Sequence, residues 1–386
     1  MKPFRLFLAA GTMALAFSLQ GLAPAHADTQ RWSAEKANQW YGHQRWLVGS
    51  NFAPKDAINQ FEMWQADTFN PQEIDTELGY AEGIGMNTMR VFLHDKLWEQ
   101  DPEGFKKRID TFLTIAAKHH IQPIFVLFDS CWDPDPKLGV QHPPIPGVHN
   151  SGWVQSPGTA GLQDPAQVPH FESYVKGVVG AFAKDDRVLA WDVWNEPDNQ
   201  GGGDYHQLDE QVKIGLVAKL LPQVFAWARS TDPIQPLTSG LWHDDNWGAI
   251  DHLNVVEQIQ LNQSDVISFH NYDWPEELEA RIKSLQPYGR PLLLTEYMAR
   301  GNGSTFDTAL PMARKYNVAV LNWGFVNGKT QTDMPWDSWL RPYTSVQPTI
   351  WFHDIFHADG TPYRQAEVEQ IRAMTQAAEV AFDKRK

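Results

Sequence analysis

Eight short apolar runs, each followed by a segment of helical period, constrain this chain more than any other feature. They read RWLVGSNF (45–52), TMRVF (88–92), QPIFVLF (122–128), RVLAWDVW (187–194), PLTSG (236–240), DVISF (265–269), PLLLT (291–295) and VAVLNW (318–323). Between them Phe105, Ile109, Phe112, Leu113 and Ala116 fall on one helical face, as do Phe171, Tyr174, Val175, Val178, Val179 and Phe182. Near-continuously apolar strands belong to a parallel sheet covered on both faces, and eight is the number that closes such a sheet into a barrel. The expected fold is therefore α/β, a single (β/α)8 TIM barrel. An open doubly wound sheet would normally carry a Gly-rich phosphate turn after its first strand, and VGSNFAP has none.

Two connections are far longer than the rest, from Asp129 to about Gln167 and from Gly324 to about Pro348. Each follows the C-terminal end of a strand, the face on which barrel enzymes build their sites. Trp132, Trp153, Trp336 and Trp339 lie in them, and disordered segments are poor in aromatics, so ordered loops are expected. The chain has 17 tryptophans, too many for core packing to explain every one.

The opening MKPFRLFLAAGTMALAFSLQGLAPAHA carries Lys2 and Arg5, an apolar run, and Ala25 and Ala27 two apart. That is the pattern of a secretory signal cleaved after Ala27, which leaves 28–386 as one domain and places the protein outside the cytoplasm, secreted or periplasmic. The run, broken by Gly11, Thr12 and Ser18, falls short of a membrane span. With Cys131 alone, no intramolecular disulfide can form. A formal net charge of −15 argues against nucleic acid or anionic lipid as partner.

The fourth run ends in WDVWNEPDNQ and the seventh in LLLTEYMAR, so Glu196 and Glu296 both follow barrel strands. Pro197 ends the fourth strand because it cannot donate to a ladder, but a carboxylate at that place has no backbone explanation. Across a barrel mouth two such glutamates can approach to roughly 5 Å. At that separation one attacks a sugar's anomeric carbon while the other protonates the leaving oxygen; a wider spacing would serve an inverting water.

NEP after the fourth strand with TEY after the seventh resembles the retaining glycoside hydrolases of clan A, most closely glycoside hydrolase family 5, the cellulase family, or a near neighbour. The resemblance runs from the first strand to the closing FHADGTPYRQAEVEQIR segment. It implies retaining hydrolysis of a β-linked oligo- or polysaccharide by a monomer, without cofactor or metal, with Glu196 as acid/base and Glu296 as nucleophile. It also implies substrate-site roles for Arg90, Asn195, His270, Tyr272 and Trp323. The family's usual His at the end of the third strand is missing. VLFDSCWD supplies Asp129, Cys131 and Trp132 there, and His94 is expected to fill the same space.

Each of these residues has a physical reason for its role. Arg90 beside Glu296 would favour its charged form, while a drier site would keep Glu196 protonated. Asn195 can bond a sugar 2-hydroxyl, His270 and Tyr272 orient the carboxylates, and Trp323 offers a flat apolar face to a pyranose. Trp132, Trp242 and Trp274, with Trp153, Trp336 and Trp339, lie beyond strand ends and are expected to form sugar-stacking subsites. His119 and His120 end a helix, and Asp133 to Pro136 lacks the length and Gly of a calcium loop; both read as structural. Cys131 as a nucleophile would need a base that nothing local supplies. The alternatives are a catalytically silent carbohydrate-binding barrel, which has no reason to keep both glutamates, and a metal-dependent barrel hydrolase, which lacks His and Asp ligands at strand ends.

Overall fold

The eight apolar runs form one sheet in the computed structural model, which describes residues 30–205, 208–243 and 246–385. The strands are β1 Val48–Phe52, β2 Thr88–Phe92, β3 Gln122–Val126, β4 Ala190–Asn195, β5 Leu237–Gly240, β6 Ile267–His270, β7 Leu292–Glu296 and β8 Ala319–Asn322. Their order is β5-β4-β3-β2-β1-β8-β7-β6, with parallel neighbours throughout. Leu241 closes the last seam just beyond β5: its N–H donates to the Ser268 carbonyl at 3.1 Å and its carbonyl accepts from the His270 N–H at 2.8 Å. The fold is a (β/α)8 TIM barrel. Arg45 to Leu47 and Arg187 to Leu189 precede β1 and β4 rather than belong to them, because burial of Leu47 and Leu189 begins before the ladder does. The expected signal segment, 1–27, lies outside the described residues. Among those described, no helix is long and apolar enough to cross a membrane.

Alternation along the strands sorts side chains into layers. Ile124 packs inside with Ala190, Leu293, Ala319 and Leu321, whereas Phe125 faces the helices. Two residues further up, Val126 joins Phe92, Trp153 and Trp323 in an aromatic upper layer. By the same alternation Arg90, two before Phe92, and Asp192, two after Ala190, lie between the apolar layers, both wholly buried. The helix Ala34–Gly42 plugs the lower end, with Trp32, Ala37 and Tyr41 against the lower layer and the Tyr41 hydroxyl donating to the Asn317 carbonyl.

Register slips at two places, between Asp192 and Asn195 on β4 against β5 and between Phe269 and His270 on β6 against β7. On β4 the irregularity lets Val193 and Trp194, adjacent in sequence, both join the outer layer. A bulge bends its strand and re-aims the side chains beyond it. Here the two slips turn Asn195 and His270 to the mouth.

Candidate active site

Glu196 is reached by a backbone that leaves β4 in a left-handed conformation, φ +41°, with the Asn199 N–H donating to the Glu196 carbonyl at 2.9 Å. A non-glycine residue held there is strained, and such strain gathers at functional sites. Glu296 is the last residue of β7 rather than the one after it. Both carboxyls are buried, 8% and 5% exposed, yet both line a cavity of about 540 Å³ in the barrel mouth. One atom each from Glu196, Glu296 and His270 lies within 4.8 Å of the others. That bound on the facing atoms is compatible with the roughly 5 Å at which two carboxylates perform double displacement.

The two carboxyls keep different company. Glu296 Oε1 accepts from Arg90 Nη1 at 2.8 Å, and Oε2 accepts from the Tyr272 hydroxyl at 2.7 Å. Glu196 sits on an amide, a thiol and an imidazole: Oε2 accepts from the Asn199 amide at 2.7 Å and from the Cys131 thiol at 3.2 Å, and Oε1 lies 2.6 Å from His270 Nδ1. Burial pushes the pKa of both glutamates up; at Glu296 it is opposed by His270, Arg90 and Tyr272, at Glu196 by Asn199, Cys131 and Arg90. Arg90 favours the charged form of Glu296, but burial outweighs it. Arg90 also carries Asp192, through Nη2 at 2.8 Å and Nε at 3.1 Å, so its charge is divided. The direct guanidinium contact nonetheless favours ionisation of Glu296 over Glu196.

Burial lowers His270 to about 4, so the ring is neutral near pH 7. A neutral imidazole at 2.6 Å can donate Nδ1–H to ionised Glu196 or accept the proton of its acid form. Which state of Glu196 it partners is set by the ring's tautomer, since Nδ1 carries the proton in one and a lone pair in the other.

Several sequence expectations change with placement. Arg90 is fully buried beneath the pocket and acts on Glu296, Asn195 and Asn51 rather than offering itself to a ligand. Asn195 lines the pocket, but its amide donates to Asp129 Oδ1 at 2.9 Å while its oxygen accepts from Arg90. His94 does not replace the missing histidine: its Nδ1 caps the helix Asp95–Gln100 and its ring packs 4.3 Å from Phe61. Asp129 and Cys131 occupy that strand end, Asp129 also accepting from Trp153 Nε1 at 2.7 Å. Burial raises Asp129 to about 6 and pushes the Cys131 thiol up, which fits a hydrogen-bond donor to Glu196 and not a nucleophile.

His270, Tyr272 and Trp323 line the pocket together with Trp132, Trp242 and Trp336. Trp274 does not. It is 64% exposed and covers Gly303, whose φ is +83° and where a Cβ would meet the indole at 2.7 Å. Trp153 is buried behind Trp323, their rings 5.9 Å apart, and Trp339 stacks on the outside of Trp132 at 5.4 Å. His119 sits between Asp75 and Glu82, far from the mouth. Sequence reasoning missed Asp192, Asn199 and His149. Asp192 had a signal, a charge inside the apolar run WDVW; the loop residues had none.

No family model matches the chain. It is 21% identical over 316 residues to mannan endo-1,4-beta-mannosidase A of Hypocrea jecorina, covering 72% of this chain and 69% of that one. Among solved structures it superposes on an exo-beta-1,4-mannosidase from Opitutaceae bacterium strain TAV5 with TM-score 0.59 and 19% identity, over 88% of this chain and 62% of that one. The beta-mannanase of the blue mussel Mytilus edulis gives TM-score 0.55 and 16% identity over 78% and 92%. The chain thus spans about two thirds of the length of the fungal and bacterial proteins. In its barrel and in its distant relatives, the chain is similar to the clan A glycoside hydrolases of family 5.

Proposed function

We propose that this protein is a retaining glycoside hydrolase that cleaves a β-linked glycan of manno configuration, with Glu296 as nucleophile and Glu196 as acid/base. The observation that carries the reading is the buried pair itself, two carboxyls at the ends of β4 and β7 with an atom of each within 4.8 Å, one on a guanidinium and the other on neutral donors. Glu296 attacks the anomeric carbon while Glu196 gives its proton to the leaving oxygen. Water, deprotonated by Glu196, then releases the sugar from Glu296. Tyr272 holds the attacking carboxylate in place, and Trp323, backed by Phe92 and Trp153, offers the pyranose an apolar floor. The choice of mannose rests on the names of the relatives, which share that sugar and divide between internal and terminal cleavage.

A binding-only role has no observation in its favour. Export after cleavage at Ala27, a single catalytic domain over 28–386 and a monomeric state belong to the same proposal. The test is a panel of manno-, gluco- and xylo-configured β-linked oligosaccharides with proton NMR of the first product. Hydrolysis fastest on the manno series with retained anomeric configuration is expected, and initial inversion sinks the mechanism. In the Glu296→Ala variant turnover should fall by several orders of magnitude, with azide restoring some cleavage to product of inverted configuration.

A further inference from the structure

The segments beyond β3 and β8 are separated around the barrel by β1 and β2, yet they are joined to each other. The Asn150 N–H donates to the Thr330 carbonyl at 2.9 Å, the Tyr343 N–H to the Gly147 carbonyl at 3.0 Å, and the Gln331 amide to the carbonyls of Ile145 and Val148 at 2.7 and 2.9 Å. Trp132 of the first stacks on Trp339 of the second at an interplanar angle of 15°. The approach is so close that a Cβ on Gly147, whose φ is +70°, would fall 2.5 Å from the backbone of Tyr343. The segment after β1 is tied in as well, by Lys329 N–H to the Lys55 carbonyl and by the Asn59 amide to the Gly152 carbonyl, both at 2.9 Å. Together these make a wall across one side of the mouth.

One polar side chain of that wall lines the pocket with a fixed orientation. His149 is buried, and its Nδ1 lies 3.0 Å from the Met334 carbonyl oxygen, which can only accept. Nδ1 therefore carries the proton. Burial lowers the ring to about 3, so it is neutral and Nε2 is left as an acceptor. The rest of the pocket rim, formed by the segments after β4, β5 and β6, is lined by Asn199, Gly202, Trp242, His243, Asp273 and Arg281, with Gly202 against the ring of Trp132 and Tyr205 packed on Trp339. That side is joined through side chains: Trp242 Nε1 donates to Asp198 Oδ1 at 2.8 Å, the Asn254 amide to Asp198 Oδ2 at 3.0 Å, and Arg281 Nη1 to the His243 carbonyl at 3.0 Å.

The chemistry of cleavage orients a substrate between these sides. On the hydrolase reading the sugar attacked by Glu296 would lie over Trp323, which packs near Tyr272 at the foot of the wall, and the chain leaving with the proton of Glu196 would lie toward Trp242. We propose that the wall leaves room for one sugar on the non-reducing side of the cleaved bond, so that the enzyme removes single sugars from the non-reducing end, with His149 Nε2 accepting a hydroxyl of that terminal sugar. This rests on the reading of the chain as a retaining hydrolase.

The test is the product pattern of the wild-type enzyme on a β-1,4-linked pentaose reduced at its end, in the configuration the enzyme turns over fastest. The first products should be the free monosaccharide and the reduced tetramer in equal amounts. Di- or trisaccharide released at initial rate overturns the proposal while leaving the hydrolase reading intact; failure to cleave any β-glycoside overturns both. Two substitutions test the histidine. His149→Asn keeps a donor near the place of Nδ1 and removes the Nε2 acceptor, whereas His149→Gln places an amide oxygen near the place of Nε2. Roughly tenfold or greater loss of kcat/KM in the first, partly recovered in the second, at matching melting temperatures, is expected. Equal kcat/KM in wild type and His149→Asn overturns the role of His149.

Discussion

At the residue scale the site separates two glutamates by their partners rather than by their burial, since both carboxyls are pushed up by desolvation. Glu196 has a thiol on it, and the Cys131 bond opposes the upward push. Cys131→Ala should therefore raise the pKa of the acid and move the basic limb of kcat/KM to higher pH, by on the order of half a unit for a weak hydrogen bond. A basic limb that stays in place, or moves down, would show that the thiol does not tune Glu196. The acid role itself is read from leaving groups. Glu196→Gln keeps shape and removes the proton, so substrates with poor leaving groups should lose at least roughly a hundredfold in kcat while activated aryl glycosides lose much less. Equal losses on both would remove Glu196 from that role.

At the element scale, strands position the chemistry and loops decide what reaches it. Trp153 and Trp242 lie beyond strand ends alike, but Trp153 packs edge-on against Phe92 and Trp323 and donates to buried Asp129, whereas Trp242 lines the pocket and donates to Asp198. Trp153→Ala should thus cost roughly 3–5 kcal/mol of stability, read as a fall in melting temperature that affects all substrates alike. Trp242→Ala should leave the melting temperature nearly unchanged and penalise longer oligosaccharides in kcat/KM more than a short aryl glycoside. The reverse pattern would exchange their assignments. The same two tryptophans mark how far a sequence can be read. The eight strands were legible because apolar runs and intervening helical faces are local patterns, and Glu196 and Glu296 emerged from their places at strand ends. The inward turn of Trp153 and the exposure of Trp274 were not legible. The path of a long loop is set by bonds to another loop, such as Asn150 to Thr330, and those leave no periodic trace.

For the whole molecule, the same barrel that buries an active site also buries titratable groups elsewhere, and these make stability depend on pH with a definite sign. Burial raises Glu77 to about 8 and Asp354 to about 7, so the folded chain holds protons there that the unfolded chain, with carboxyls titrating near 4, has already lost. A carboxyl raised on folding contributes stability below its unfolded pKa and loses it as pH rises through the folded value. Buried histidines act in the opposite direction. His149 and His270 are lowered to about 3 and about 4, so the unfolded state binds more protons than the folded state up to about pH 6.5, and stability there rises with pH. Between about 4 and 6.5 the two trends oppose each other. Above 6.5 the unfolded histidines lose their remaining charge and their opposition fades, while the loss from Asp354 continues to about 7 and that from Glu77 to about 8, with a slope of about 1.4 kcal/mol per pH unit for each proton held only by the folded state. The melting temperature should therefore fall steadily from about pH 6.5 to about 8. Glu77 is fully buried in the helix Pro71–Gly83, with Oε1 accepting from the Lys55 N–H at 3.0 Å and Oε2 without a partner among the described residues. Glu77→Gln keeps an acceptor for Lys55 and cannot ionise, so it should flatten that part of the profile while leaving the activity of Glu196 and Glu296 in place. A wild-type melting temperature that stays level across that range, or a fall equally steep in Glu77→Gln, would show that Glu77 enters the fold already ionised.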